Sequence, residues 1–384
     1  MKYKSRGRPD FILLFSTFLL VGFGLIMVFS ASSPHALYKY GDSWYFLQRQ
    51  IIFAVVGWII LLVLMNIPFA RLKALAYPSL LLSIVLLVLV LQIGTDINGA
   101  KRWIFIGPFS LQPGEFVKLS LILFLAVFIS KKQEQIRDFK KGLAPVLVIV
   151  GLMIGLILLE PDLGTAINLL GITFLLVIIG GANMRHIFTI GLVALPLIVL
   201  LVIFESYRFQ RITAFLNPWD DPTDTGYQLI QSLFALSRGG LSGAGLGQSF
   251  QKFHYLPEAH TDFIFAIIGE ELGFAGIVFL MLVLGIFIVR GFVAALTCEH
   301  LFGMFLGLGI VIMFSVQIVF NLGAVTGSLP ITGVTLPFIS YGGSSLLVSM
   351  AGTGILLSIS RENNRIRMEK QKENRPGFRQ TASM

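Results

Sequence analysis

Ten runs of about 20 predominantly apolar residues recur along this chain, and a run of that length can cross the hydrocarbon core of a bilayer as a helix. They fall at about 11–31, 47–66, 74–93, 114–130, 143–159, 164–182, 187–204, 263–289, 302–323 and 342–360. Lipid offers backbone N–H and C=O groups no partners, so each run must satisfy them internally, and a helix does so. The runs are too long and too evenly apolar for the alternating strands of a β-barrel. Of the 384 residues, 55% are hydrophobic and 13% charged, against roughly 25% charged in soluble domains. These features predict an all-α integral membrane protein with ten transmembrane helices.

Lys and Arg set the expected orientation. With the N-terminus cytoplasmic, 20 of the 29 basic residues fall on the cytoplasmic side, and both termini with them. The net charge of +9 therefore reads as loop bias rather than nucleic-acid binding. The basic start, Lys2 to Arg8, runs directly into the first long apolar run, which reads as a spanning helix and not a cleaved leader. One cysteine, Cys298, excludes an internal disulfide and a cysteine-based metal cluster. Residues 1–360 read as one ten-helix membrane domain, and residues 361–384 as a basic, disordered cytoplasmic tail.

One connection stands out. Residues 205–261, between the seventh and eighth spans, form a long extracytoplasmic loop containing Trp219, Tyr227, Ile230, Phe234 and Leu236. Loops longer than about 15 residues are usually functional or disordered. This one carries too many apolar residues for disorder and is expected to form an ordered cap, with a short amphipathic helix over Gly226 to Leu236.

Ionisable residues at the edge of a span are costly and are candidates for function. Here they gather on the expected outer side: Arg102, Glu115, Lys118, Glu160, Asp162, Glu258, Asp262, Glu270 and Glu271. Asp262 leads, standing just before the eighth span. A first-turn acid that only stabilises the helix is the competing reading. Glu270 lies about 12 Å deeper and about 80° round the helix, the better placed of the glutamates to face the same cavity. Lys101, Arg102, Lys118, Arg208, Arg211, Arg238 and Lys252 could hold a phosphate or pyrophosphate; headgroup contact or snorkelling is the alternative. The glycine-rich run Gly239 to Gly247 could cradle an anion or simply turn. Ser344 and Ser345 stand at the outer end of the last span and suit helix capping and close helix packing better than a nucleophile. The five histidines show no metal-ligand spacing.

Five motifs occur in order: Arg102-Trp-Ile-Phe-Ile-Gly-Pro-Phe-Ser-Leu-Gln-Pro-Gly-Glu115, Glu160-Pro-Asp-Leu-Gly-Thr165, Asn217-Pro-Trp-Asp-Asp-Pro222, Leu256-Pro-Glu-Ala-His-Thr-Asp-Phe263 with Gly269-Glu-Glu-Leu-Gly273, and Leu329-Pro-Ile-Thr-Gly-Val-Thr-Leu-Pro-Phe-Ile-Ser-Tyr-Gly-Gly-Ser-Ser345. Together they resemble the SEDS family (shape, elongation, division and sporulation) over nearly the whole chain, in details more like its FtsW and SpoVE branch than its RodA branch. Two positions depart from the family: Gly114, where serine is usual, and Glu160, where glutamine is common.

The resemblance implies an enzyme of the bacterial cytoplasmic membrane that polymerises lipid II into peptidoglycan strands at the outer face. Asp262 takes the place of the family's essential aspartate. The donor would be an undecaprenyl-pyrophosphate-linked glycan and the acceptor lipid II, joined with inversion. Arg102, Glu115, Lys118, Asp162, Arg208, Arg211, Lys252, Glu258, Glu270 and Ser344 are the expected substrate contacts. The implied partners are a class B penicillin-binding protein and other divisome membrane proteins. No cofactor is required by the sequence, although a divalent cation, Mg or Mn, would suit a pyrophosphate. A lipid II flippase is the alternative from another class, and a non-catalytic scaffold a third; the concentration of charge on one side favours chemistry there.

Overall fold

The computed structural model describes residues 7–373, apart from residues 98, 108, 204 and 205. Every apolar run is helical. The helices are α1 (Phe11–Tyr40), α2 (Tyr45–Asn66), α3 (Ala76–Ile93), α4 (Pro113–Lys131), α5 (Ala144–Leu159), α6 (Leu163–Ile179), α7 (Met184–Ile203), α8 (Ser206–Leu216), α9 (Tyr227–Gly239), α10 (Ile264–Leu296), α11 (Leu301–Val325) and α12 (Gly343–Glu373). Among the described residues, eight helices are long and apolar enough to cross a membrane, and α6 is apolar but shorter. The chain is a multi-pass membrane protein.

Burial sorts the helices into a centre and a rim. α4, α11 and α12 are enclosed on most sides. α2, α3 and α10 instead expose Val55, Ile59, Leu81, Leu82, Leu282 and Val289, an apolar girdle that only lipid or another membrane helix would cover. α2 lies along α12, and α10 packs against both α1 and α11.

Local chemistry fixes several helix ends. Asp10 caps α1 by accepting from Leu13 N at 3.1 Å, and Asp162 caps α6 by accepting from Thr165 N at 3.0 Å. Gly41 closes α1 in the left-handed conformation, with φ 70°.

The structure departs from the expectations drawn from the sequence in two places. Between α3 and α4 the chain makes a three-stranded antiparallel sheet, β1 (Thr95–Ile97), β2 (Ala100–Ile106) and β3 (Phe109–Leu111), with Ile104 opposite Leu111. Gly99 and Gly107 sit at its turns with φ 77° and 62°; the Asn98-Gly99 pair is a strong hairpin signal in the sequence itself. The tail expected from Arg361 onward is helical as far as Glu373, because α12 continues without a breaker. Residues 374–384 lie outside the described residues.

Candidate active site

Asp262 is positioned by the segment that joins α11 to α12. Asn321, one of two side-chain amides in the apolar α11, donates from Nδ2 to the carbonyls of Asp262 and Val334, both at 2.8 Å. Ser340 Oγ donates to the Thr261 carbonyl at 2.6 Å and accepts from Leu336 N at 2.9 Å. Tyr341 N bonds the His260 carbonyl at 2.9 Å. Two irregular segments are thus bonded side by side, and the half-buried Asp262 carboxyl faces Gly333. Gly333 has φ 73°, and a Cβ there would stand 3.5 Å from Asp262 Oδ2. Glycine provides both the backbone conformation and the open space beside the carboxylate.

A polar pocket of about 40 Å³ adjoins this segment, lined by Arg102, Gln112, Glu115, Lys118, Asp162, Gly164, Thr165, Asn168 and residues 333–335. It has room for only one or two waters. Lys118 Nζ is 2.8 Å from both oxygens of Glu115, one turn away on α4, and both residues are buried. Asp162 Oδ2 accepts from Thr165 Oγ1 at 2.8 Å and from Gln112 Nε2 at 3.3 Å. Arg102, on β2, clamps the α5–α6 turn, donating from Nε to the Glu160 carbonyl at 3.0 Å and from Nη2 to the Pro161 carbonyl. Ser344 Oγ accepts from Gln112 N at 2.9 Å and ties α12 to the start of α4.

The electrostatics single out three groups. Burial, and after it the charge of Glu258, push Asp262 up to about 7, with Arg211 and Arg102 pulling the other way. Burial and Asp162 push Glu160 up to about 8, opposed by Arg102. Burial drives His260 down to about 4. At neutral pH Glu160 carries its proton, and a protonated glutamic acid has nearly the shape and the hydrogen-bonding capacity of glutamine.

The sequence-predicted residues divide into two groups. Asp262, Arg102, Glu115, Lys118, Asp162 and Ser344 converge around the segment 333–345. Glu258 joins Asp262 from its own side, where its Oε2 accepts from Thr261 Oγ1 at 2.7 Å. Arg211, on α8, donates from Nη1 to the Ile331 carbonyl at 2.8 Å, and its charge reaches Asp262. The Arg208 side chain lies outside the described residues.

Glu270 and Lys252 belong elsewhere. Glu270 does not face the Asp262 cavity; the loop covers it. It accepts from Ser249 Oγ, from Phe250 N at 2.9 Å and from Gln251 N at 3.2 Å. Lys252 Nζ donates to Glu271 Oε1 at 2.8 Å and to the Gly247 carbonyl at 2.7 Å, while Ser30 of α1 bonds the same glutamate.

This network sits beside a break in α10. Gly273 has φ 64° and ψ −163°, and there the loop is spliced into the helix. Ala244 N and Gly245 N donate to the carbonyls of Glu270 and Glu271 at 2.9 and 3.0 Å, while Phe274 N and Ala275 N donate to the carbonyls of Gly240 and Leu241 at 2.9 and 3.3 Å. The loop thus replaces the i to i−4 bonds that the break removes. The glycine-rich run is accounted for by this close backbone approach: a Cβ on Gly239 or Gly243 would collide with the carbonyls of Gly269 or Glu271.

Sequence reasoning about charge missed the neutral members of the site: Gln112, Asn168, Asn321, Thr335 and Ser340. Asn168 and Asn321 carried a usable signal, since a side-chain amide in an apolar helix needs a partner. Among the described residues, no three His, Cys, Asp or Glu side chains converge on a cation position. The donor set at the site does not build a cation centre of its own.

Comparison with known proteins places this arrangement. The sequence model of the FtsW, RodA and SpoVE group, described as cell cycle protein, matches residues 11–365. The chain belongs to this family. It is 46% identical over 359 residues to stage V sporulation protein E of Bacillus subtilis, covering 93% of this chain and 98% of the relative. It is also 46% identical over 353 residues to a probable peptidoglycan glycosyltransferase FtsW of Trichlorobacter lovleyi, covering 91% and 93%. Among solved structures, a chain from a study of the structural coordination of polymerization and crosslinking by a peptidoglycan synthase complex superposes with a TM-score of 0.76 at 34% identity, covering 92% of this chain and 98% of that one. The rod shape determining protein RodA of Thermus thermophilus gives 0.69 at 32%, covering 92% and 97%.

Proposed function

We propose that this family member is a peptidoglycan glycosyltransferase that polymerises lipid II at the outer face of the cytoplasmic membrane during cell division, with Asp262 as general base. Residues 1–360 form one membrane domain of ten spans, both termini are cytoplasmic, and the loop 205–261 caps the outer side. The relatives named as glycosyltransferases support the reaction. The observation that carries the base is a half-buried carboxyl raised to about 7 and left with open space by Gly333.

In the reaction the acceptor sugar's 4-hydroxyl attacks the anomeric carbon of the donor. The new C–O bond forms as the bond to pyrophosphate breaks, with inversion. Asp262 takes the hydroxyl proton, and a carboxylate with a pKa near working pH suits that task. The pyrophosphate leaves as an anion and needs charge stabilisation rather than a proton. Arg211 and Arg102 bring positive charge to that side. Lys118 is held by Glu115 and organises the polar pocket. Asp162 caps α6 and orients Gln112, so both act as positioning groups.

A class B penicillin-binding protein is the partner that would crosslink the strands, in keeping with the synthase complex in which the structural neighbour was solved. The test is strand synthesis from lipid II by the purified full chain, with and without that partner. Strands of β-1,4-linked disaccharide are expected; lipid II crossing liposome bilayers with no strand formed would replace the polymerase with a flippase.

A further inference from the structure

A cavity of about 760 Å³ opens at the end of the bundle opposite Asp262. α10 starts two residues after Asp262, and Arg290, which borders the cavity, lies roughly 39 Å further along that helix. This exceeds the hydrocarbon core of a bilayer, about 30 Å, so the cavity stands at the other membrane–water boundary. Its walls come from the start of α1, the end of α10 and the last turns of α12. Side chains fasten the three together. Arg290 Nε donates to Asp10 Oδ2 at 2.9 Å. Asn363 Nδ2 donates to the Ala294 carbonyl at 2.8 Å and to Thr297 Oγ1 at 3.0 Å, and Asn364 Nδ2 to the Arg8 carbonyl at 2.8 Å. The cavity is a built part of the fold, not a gap beside a loose tail.

The lining changes character along the membrane normal. Phe11 and Ile12, the first residues of α1, border the cavity and are exposed, as is Val293 of α10. Arg367 and Lys370 stand about 10 and 15 Å farther along α12 than Ser360, which also borders it. Three cations, Arg290, Arg367 and Lys370, face two acids, Asp10 and Glu299, a net charge of +1. Asp10 holds Arg290, and Glu299 holds Lys370. Arg367 has no acidic partner among the described residues. A soluble polyanion would need several unpaired cations and no apolar wall. One phosphodiester with acyl chains below it matches both the single surplus charge and the apolar edge. The amides of Asn364 and Gln371 suit headgroup hydroxyls.

We propose that this cavity binds one anionic glycerophospholipid, with its phosphodiester on Arg367 and its acyl chains against Phe11, Ile12 and Val293. The lipid joins the ends of α1, α10 and α12 from the bilayer side. A free glycerol phosphate offers the same headgroup without the chains, and the apolar edge selects the lipid. The site lies at the opposite end of α10 from Asp262 and stands independently of the chemistry there.

The probe is dioleoylphosphatidylglycerol, titrated against the purified full chain in detergent, with the first bound lipid counted by native mass spectrometry. Dioleoylphosphatidylcholine is the zwitterionic reference, and wild type is expected to prefer the anionic lipid. Arg367→Gln and Lys370→Gln alter exposed side chains and are expected to weaken that first binding about fivefold each, the usual worth of one cation near a headgroup. Lys131→Gln removes the same charge from the end of α4 away from Glu115, at the same end of the bundle but outside the cavity, and should leave the first binding unchanged. Glycerol 3-phosphate in about hundredfold excess should not displace the lipid. Equal weakening by Lys131→Gln would reduce the site to diffuse attraction and overturn the proposal. Unchanged binding in both cavity variants would overturn it too, as would displacement by glycerol 3-phosphate, which would make the ligand a soluble phosphate.

Discussion

Lys252 Nζ lies 2.8 Å from Glu271 Oε1, and this buried ion pair pins the long loop to the helix that Asp262 precedes. Ser30 adds α1 to the same point. Loop, α1 and α10 are joined within a few residues of the break at Gly273, so the chain that leads from Lys252 to Asp262 starts from a fixed anchor.

Removing one member of a buried pair strands the other charge and costs about 3–5 kcal/mol. Lys252→Met is therefore expected to lower the thermal midpoint in detergent sharply. The double variant Lys252→Met with Glu271→Gln should recover much of that loss, since neither charge remains. Thermal unfolding of the three variants beside wild type checks this; equal midpoints for single and double variants would contradict it.

Gly273→Ala probes the splice. Its φ and ψ fall in a region almost confined to glycine, where other residues cost about 1–3 kcal/mol. The added Cβ would also meet the backbone of Leu241 and Gly243. The variant should loosen the loop, and hydrogen exchange at residues 240–245 should quicken before the rest of α10 does.

Glu160 gives a stability signature in pH. Its folded value of about 8 is raised above the ordinary 4.5. Its contribution to stability is fully present below the unfolded value and is lost as pH rises through the folded one. Wild type should lose stability between about pH 5 and 8, and Glu160→Gln should lose less across that window. At pH 7 the variant should polymerise at close to the wild-type rate, because it replaces a protonated acid. A melting series across pH and one rate comparison check both statements.

Much of the fold was legible because a bilayer forces helices onto long apolar runs, and each run became one. The small sheet escaped because its strands are short and lie in a loop, although Asn98-Gly99 marked its first turn. The break at Gly273 was hidden inside a run that reads as one span; nothing local shows that a loop some 30 residues upstream in sequence supplies the missing bonds. The site was legible where charge stands at helix ends, as with Asp262 and Asp162. It was misread where long-range pairing decides, as with Glu270 and Lys252, whose partners cannot be found from helical spacing. Glu160 looked like a departure from the family's glutamine, and burial makes it a neutral equivalent.

The charge environment of Asp262 predicts a pH profile. A base must be unprotonated, so strand synthesis at saturating lipid II should rise with pH, with half-maximum close to the value of about 7 that the site imposes. Arg211 holds that value down, so Arg211→Gln should move the rising limb to higher pH. A limb that stays in place would remove Arg211 from the electrostatics of the base.

The central claim is tested most directly by Asp262→Asn, purified in full-length form with its crosslinking partner, in a lipid II polymerisation assay beside wild type. The account predicts a folded variant with an unchanged melting temperature that still binds lipid II and forms strands at least about a hundredfold more slowly, the usual scale for loss of a general base. Strand synthesis at the wild-type rate would contradict it.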